Sequence, residues 1–201
     1  MIKGLLFLNS RTGEDPRGVV REFYRHSSST AINLPVPVAG WAQLNVTESH
    51  LGAVRGLHAE GTDKLVGIVS GQGFGAWVDA RPGSSTFGEM VTATLEIGTQ
   101  VYVPAGVLNG WQALSEPAQY LYCFSREWVV DMGGVFVTPL DSTLNIAWPI
   151  SVDPDNRAQL SSKDEMAPDW ETVRESLLQV LAIQETTDGN SSSSVAAGES
   201  P

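Results

Sequence analysis

The chain has one cysteine, Cys123, and three histidines, His26, His50 and His58. A single thiol excludes an intrachain disulfide and a thiolate zinc site. So few imidazoles also shorten any search for a general base. Cations are scarce as well: 12 Lys and Arg stand against 23 Asp and Glu, a formal net charge of −11 over 201 residues. A surface that acidic repels nucleic-acid backbones and anionic lipid alike, so no nucleic acid and no membrane is expected as partner. A small anionic ligand stays possible, because a few Arg and Lys side chains gathered at one point make a positive pocket in a negative protein. No stretch reaches the roughly 18 apolar residues of a membrane span. The apolar opening from Met1 to Leu8 is too short for a signal peptide, which makes a cytoplasmic location the expectation.

Long helical periodicity is missing from the first three quarters of the chain. In its place are short β-rich runs at 19–24, 41–46, 65–69, 74–79, 90–95, 99–103, 118–124 and 134–137, each ended by Gly, Pro, Asn or Asp. Several alternate with period two, and their spacing of roughly ten residues is that of a sandwich or barrel. Parallel strands would need crossover helices between them, so an antiparallel all-β body over residues 1–150 is expected. The composition shifts after Pro149. Residues 160–166 read as a short capped helix, and Trp170, Val173, Leu177, Leu178 and Leu181 fall at helical spacing after Pro168-Asp169. Residues 151–185 are therefore expected to form a helical appendage packed on the β body. The Ser-rich stretch 186–201 has too little apolar area to offset ordering and reads as a disordered tail.

His26 lies in a polar run from 26 to 30, and His50 follows Glu48-Ser49 at a turn; both read as solvated. His58 keeps different company, because Arg55-Gly56-Leu57-His58 precedes Lys64-Leu65-Val66 and so sets two cations around an imidazole. On a regular strand Arg55 and Leu57 would share one face, Gly56 and His58 the other. Two readings of His58 stand on spacing alone, a buried histidine satisfied by a hydrogen bond and a base in a site. One imidazole among scattered carboxylates is a poor transition-metal set, so no metal is expected. Cys123 sits in an apolar run without a flanking base, which argues against a nucleophile. Gly71-Gln72-Gly73-Phe74-Gly75 lacks the Lys-Ser/Thr of a phosphate loop and reads as a hairpin turn.

Seven segments, in order, together resemble the dTDP-4-dehydrorhamnose 3,5-epimerase family. They are Asp15-Pro16-Arg17-Gly18 with Glu22; Gln43-Leu44-Asn45; Val54-Arg55-Gly56-Leu57-His58 with Lys64-Leu65-Val66; Val78-Asp79-Ala80-Arg81 with Ser84-Ser85-Thr86-Phe87-Gly88; Val103-Pro104-Ala105-Gly106; Leu144-Asn145-Ile146-Ala147-Trp148-Pro149; and Leu160-Ser161-Ser162-Lys163-Asp164. The resemblance implies a cupin-type double-stranded β-helix, a jelly-roll barrel with short C-terminal helices. It implies a cofactor-free reaction on a dTDP-linked 4-keto-6-deoxyhexose, in a homodimer whose extended N-terminal segments pair across subunits.

By the same resemblance His58 matches the family's base, Asp164 the carboxylate that holds its ring, and Lys64 the cation beside the developing enolate. A positioned base and a positive donor at the enolate oxygen are what proton removal next to a ketone requires. Arg17, Arg55 and Arg81 match positions suited to a diphosphate clamp, although Arg81 after Asp79 also reads as a structural ion pair. Glu22, Gln43 and Asn45 would orient nucleotide or sugar. Two departures bear on the activity. Asn109 stands where the family has a histidine, and Trp128 is read at the position of the acid tyrosine; neither side chain delivers a proton as those would. Inversion at C3 alone is then expected, with water, Tyr120, Tyr122 or Glu127 returning the proton. A related enolate reaction on a nucleotide sugar and a non-catalytic nucleotide-sugar binder are the rival readings.

Overall fold

Gly, Pro and Asx residues cut the chain into short extended runs, and these runs pair rather than stack end to end. The computed structural model describes residues 1–27, 40–130 and 132–193, the last six by their backbone alone. Residues 28–30 of the polar run at His26 and residues 194–201 of the Ser-rich tail lie outside the described residues. The strands are β1 (Leu6–Asn9), β2 (Arg11–Asp15), β3 (Gly18–Glu22), β4 (Gln43–Ser49), β5 (Val54–Glu60), β6 (Lys64–Ser70), β7 (Gly73–Asp79), β8 (Met90–Leu95), β9 (Thr99–Val103), β10 (Val107–Ala113), β11 (Ala118–Phe124) and β12 (Gly134–Phe136). Helices α1 (Ser162–Glu165) and α2 (Trp170–Ser193) follow.

Two antiparallel five-stranded sheets, ordered β1-β9-β6-β11-β4 and β12-β5-β10-β7-β8, face each other, and β2 and β3 form a separate hairpin. Period-two alternation decides what lies between the sheets. Val66, Ile68, Val101 and Tyr120 from the first meet Trp77, Leu95, Val107 and Trp111 from the second in one buried cluster. Trp111 and Tyr120 stack across the gap with ring centroids 4.7 Å apart. This cluster closes one part of the barrel interior; another part stays open and holds the cavity described below. The outward residues of the second sheet, Leu57, Ala76, Val78 and Leu108, are covered by Val137, Leu144, Trp170 and Val173. The apolar stripe of α2 therefore buries itself against the sheet. That helix continues past the expected boundary at 185 as far as Ser193, its final described side chains bonding back to the backbone through Thr186 and Thr187.

The glycine run at 71–75 differs from the expected hairpin. Gly71 has φ +77° and turns the chain, but β6 and β7 belong to different sheets, so the turn carries the chain across the barrel.

Asp79, at the end of β7 and fully buried, organises the turn that follows. Its carboxylate accepts from Arg81 Nε at 2.7 Å, Arg81 Nη2 at 2.8 Å, Ser84 Oγ at 2.7 Å and Thr86 Oγ1 at 2.6 Å. Arg81 is thus committed to a structural pair. Burial disfavours the charged carboxylate, yet the Arg81, Thr86 and Ser84 hydrogen bonds outweigh it and lower its pKa from 3.8 to about 2. Because the folded value is the lower one, this contribution is complete above about 4 and is lost as pH falls toward 2. Asp79→Asn is expected to lower stability by about 2–4 kcal/mol at neutral pH and to flatten the acid side of the stability curve, both read by urea melts.

Candidate active site

The site grows out of a local irregularity in β5. Opposite β10, His58 pairs with Asn109 and Arg55 with Trp111, so three steps on β5 answer two on β10. This extra residue is a β-bulge, a device that re-aims side chains. It overturns the regular alternation, and Arg55 and His58 both reach the same cavity. Gly56 sits in the bulge at φ +129°, where a Cβ would lie 2.5 Å from Gly110 Cα and 2.8 Å from Asn109 O. Only glycine meets both demands.

The cavity has a volume of about 530 Å³. His58 and Glu60 reach it from β5 and Asn109 from β10. From the other sheet come Gln43 and Asn45 of β4, Lys64 of β6, and Tyr122 of β11, while α1 supplies Asp164. His58 Nε2 lies 2.6 Å from Asp164 Oδ1. The Asp164 side chain is 8% exposed and that of His58 28%, so the anchor is sheltered while the ring stays open to the cavity. Burial works against ionising Asp164, but the His58 hydrogen bond and charge, then Ser161 and the Gly56 backbone, prevail and hold its carboxyl below the ordinary range. With the carboxylate ionised, the shared proton belongs to Nε2 and Nδ1 keeps its lone pair. Phe136 fixes the other side of the ring, edge to face at 5.2 Å. Asp164 is itself held because Ser161 caps α1, its Oγ accepting from Asp164 N at 3.1 Å.

Around this dyad the neighbours are specific. Lys64 pairs with Glu60, and its Nζ donates to His58 O at 3.4 Å. Asn109 Oδ1 accepts from Trp77 Nε1 at 2.8 Å and from Tyr120 OH at 3.3 Å, so the group it offers a ligand is its NH₂. Gln43 Nε2 donates to Asn45 Oδ1 at 3.2 Å. Arg55 Nε donates to Ser49 Oγ at 2.9 Å, which leaves its terminal nitrogens for an anion. Arg157 and Lys163 join Arg55 at the wall, two cations that sequence reasoning missed; Arg157 Nη1 donates to Glu165 Oε2 at 2.7 Å, and the Lys163 ammonium lies 4.4 Å from the centroid of the Phe136 ring. Arg55 and Lys163 thus bring to the wall positive charge that no carboxylate among the described residues neutralises.

The structure sorts the phenols. Tyr120, Tyr122 and Phe124 alternate along β11 on its inner face. Tyr120 is fully buried, which drives its phenol pKa far upward, and its hydroxyl is spent on Asn109. Tyr122 lines the cavity with its hydroxyl 3.1 Å from Thr47 Oγ1. Trp128 lies beyond the strand at the rim, 47% exposed, its backbone N–H donating to Gln43 Oε1 at 2.7 Å. Glu127 is exposed and does not line the cavity.

Arg17 and Glu22 are not brought to this cavity. They lie on the β2–β3 hairpin, which pairs with neither sheet, and Arg17 is held by Asp15 and Glu22 by Arg25. His50 bonds Glu116 and His26 bonds Tyr24 at the surface. Burial pushes the Cys123 thiol up to about 12, which leaves it unsuited to nucleophilic work.

Comparison with known proteins agrees with this architecture. A family model described as dTDP-4-dehydrorhamnose 3,5-epimerase matches residues 1–172. The chain is 38% identical over 166 residues to the dTDP-4-dehydro-6-deoxyglucose 3-epimerase of Streptomyces bikiniensis, covering 79% of this chain and 81% of that protein. It is 34% identical over 169 residues to the dTDP-4-dehydrorhamnose 3,5-epimerase of Pseudomonas aeruginosa, covering 81% and 89%. Among solved structures it is similar to ChmJ, a 3'-monoepimerase from Streptomyces bikiniensis in complex with dTDP-quinovose, with a TM-score of 0.78, 31% identity and coverage of 92% and 96%. RmlC from Streptococcus suis in complex with dTDP-D-xylose gives 0.76, 30%, 86% and 89%. Sequence likeness over most of both chains thus coincides with the jelly roll and its open interior: the chain belongs to the dTDP-4-dehydrorhamnose 3,5-epimerase family and has its cupin-type fold.

Proposed function

We propose that this protein is an epimerase of a dTDP-linked 4-keto-6-deoxyhexose. The observation that carries the reading is the His58–Asp164 pair at 2.6 Å, opening onto a cavity that also holds Lys64 and the Tyr122 phenol. His58 Nδ1 takes the proton from the carbon next to the C4 ketone, and Asp164 stabilises the imidazolium that forms. The electron pair left behind moves onto the ketone oxygen, where the Lys64 ammonium meets the negative charge. Tyr122 O–H then gives a proton to the opposite face of the carbon as the carbonyl re-forms; solvent then takes the proton from the His58 imidazolium and returns one to the phenolate. Carbonyl, stereocentre and protonation states are regained with one configuration inverted. Arg55, with Lys163, suits the diphosphate, and Gln43, Asn45 and Asn109 suit the polar edges of base and sugar. Trp128 offers a flat apolar face at the rim.

Restriction to C3 rested on Trp128 in place of an acid phenol. Tyr122 is one of the groups that can return the proton at C3 and it lies within the cavity, while Trp128 leaves the second carbon without an acid phenol, so inversion at C3 alone remains the reading. The apolar start up to Leu8, the segment expected to pair across subunits, is used within the chain, where β1 pairs with β9 and Ile2 and Leu5 enter the core. A homodimer then fits the exposed β2–β3 hairpin, whose Val19 and Val20 lie at the surface. Arg17 and Glu22 then serve a site only by way of a second subunit.

The test is incubation of dTDP-4-keto-6-deoxyglucose with the protein in heavy water, with NMR locating the label. Deuterium at C3, with the inverted product, is expected; entry at C5 as well extends the same chemistry to the second carbon next to the ketone. Exchange without an inverted product would favour another enolate reaction. No entry at either carbon, with dTDP still bound, would leave a binding module.

A further inference from the structure

Two carboxylates line the cavity, Asp164 and Glu60, and the chemistry above uses only the first. Glu60 lies two residues beyond His58 on β5, its side chain 11% exposed, against a Lys64 side chain 6% exposed. An ammonium withdrawn from water that far needs a counter-charge to remain an ammonium. It also has three N–H donors. Among the described residues, Lys64 meets Glu60, the His58 carbonyl oxygen and the face of the Phe124 ring, 5.7 Å to its centroid. Only the first two are acceptor oxygens, so one donor is left for a ligand oxygen in the cavity that Lys64 lines. With two contacts made, the head group can no longer swivel freely, and the direction of the remaining N–H is set before any ligand arrives. Such pre-organisation is what makes a charge effective against a developing oxyanion. Burial alone would raise the Glu60 carboxyl, but the charge and hydrogen bond of Lys64, helped by His58, hold it below the ordinary range. The same contact thus gives the buried ammonium its counter-charge.

We infer that Glu60 is a positioning residue: it anchors the Lys64 ammonium beside His58 so that one N–H faces the ligand oxygen. What Lys64 does with that N–H rests on the epimerase reading; the anchoring itself does not. The experiment follows the Lys64 ammonium by proton–nitrogen NMR and, in parallel, deuterium entry at C3 and dTDP binding by calorimetry, in the full chain and in Glu60→Gln, Lys64→Met and the double variant. A Lys64 ammonium signal protected from solvent exchange in the wild type and lost in Glu60→Gln is the expected result. A signal equally protected in Glu60→Gln would overturn the anchoring.

Glu60→Gln is expected to slow exchange at saturating substrate by about 10-fold or more and to change the dTDP dissociation constant less than about twofold. Loss of both together would mean a merely structural role. In the double variant exchange should match Lys64→Met within about twofold, since without Lys64 there is nothing to place; multiplied losses would overturn the inference. The double variant removes both charges and keeps the fold even where a single one leaves a buried charge unpaired. Should the wild type show no exchange, the epimerase reading falls while the ammonium signal still decides the role of Glu60.

Discussion

His58→Asn is expected to reduce deuterium entry at C3 by about 10³-fold or more with little change in dTDP affinity. Asparagine fills similar space and can still hydrogen-bond Asp164, so the fold is spared. What it lacks is a titratable lone pair, and no other imidazole is near: His26 and His50 are at the surface with partners of their own. Asp164→Asn tests the second half of the dyad. An amide that donates to the ring would favour the tautomer with the lone pair on the wrong nitrogen and would remove the charge that stabilises imidazolium. A loss of about 10²-fold or more is expected there. Exchange persisting near the wild-type rate in His58→Asn would remove this ring as the base.

Tyr122→Phe separates proton removal from proton return. The phenylalanine keeps the aromatic packing against Phe124, edge to face at 5.2 Å, and loses only the hydroxyl beside Thr47. His58 can still take the proton and return one to the same face, so exchange at C3 should continue within about tenfold of wild type. The inverted product should fall by about 10²-fold or more, because no acid remains on the other face. Trp128→Phe is the control, with epimerisation kept within a few-fold. If instead Tyr122→Phe kept its product ratio and Trp128→Phe lost it, the rim and not β11 would carry the returning proton.

Legibility in the sequence followed physical locality. Runs with clean alternation, such as 41–46 and 90–95, overlap β4 and β8, because half-buried strands enforce period two. β10 was not foreseen: Asn109 and Gly110 break its apolar pattern, and what stabilises it is pairing on both sides, with β5 and β7. The placement of Arg55 beside His58 was also hidden, since the bulge that produces it depends on β10, a strand about fifty residues away. His58 and Lys64 drew attention through their own neighbours, whereas Asp164 stands 106 residues from His58 and only family resemblance linked them. Glu60, Arg157 and Lys163 carried no signal of their own, because their roles come from the cavity they line. The β2–β3 hairpin shows the opposite limit: Arg17 and Glu22 matched a pattern, yet within one chain they pair locally and stay outside the site.

The central claim is that one sugar carbon lies between the His58 imidazole and the Tyr122 phenol. The most direct measurement is a crystal structure of the protein with a dTDP-linked hexose that lacks the C4 ketone and so cannot react. C3 within about 3.5 Å of His58 Nδ1, with the Tyr122 hydroxyl on the other face of the ring and the Lys64 ammonium next to C4, is the expected result. A sugar ring held at the rim away from His58, or both groups on the same face of it, would contradict the account.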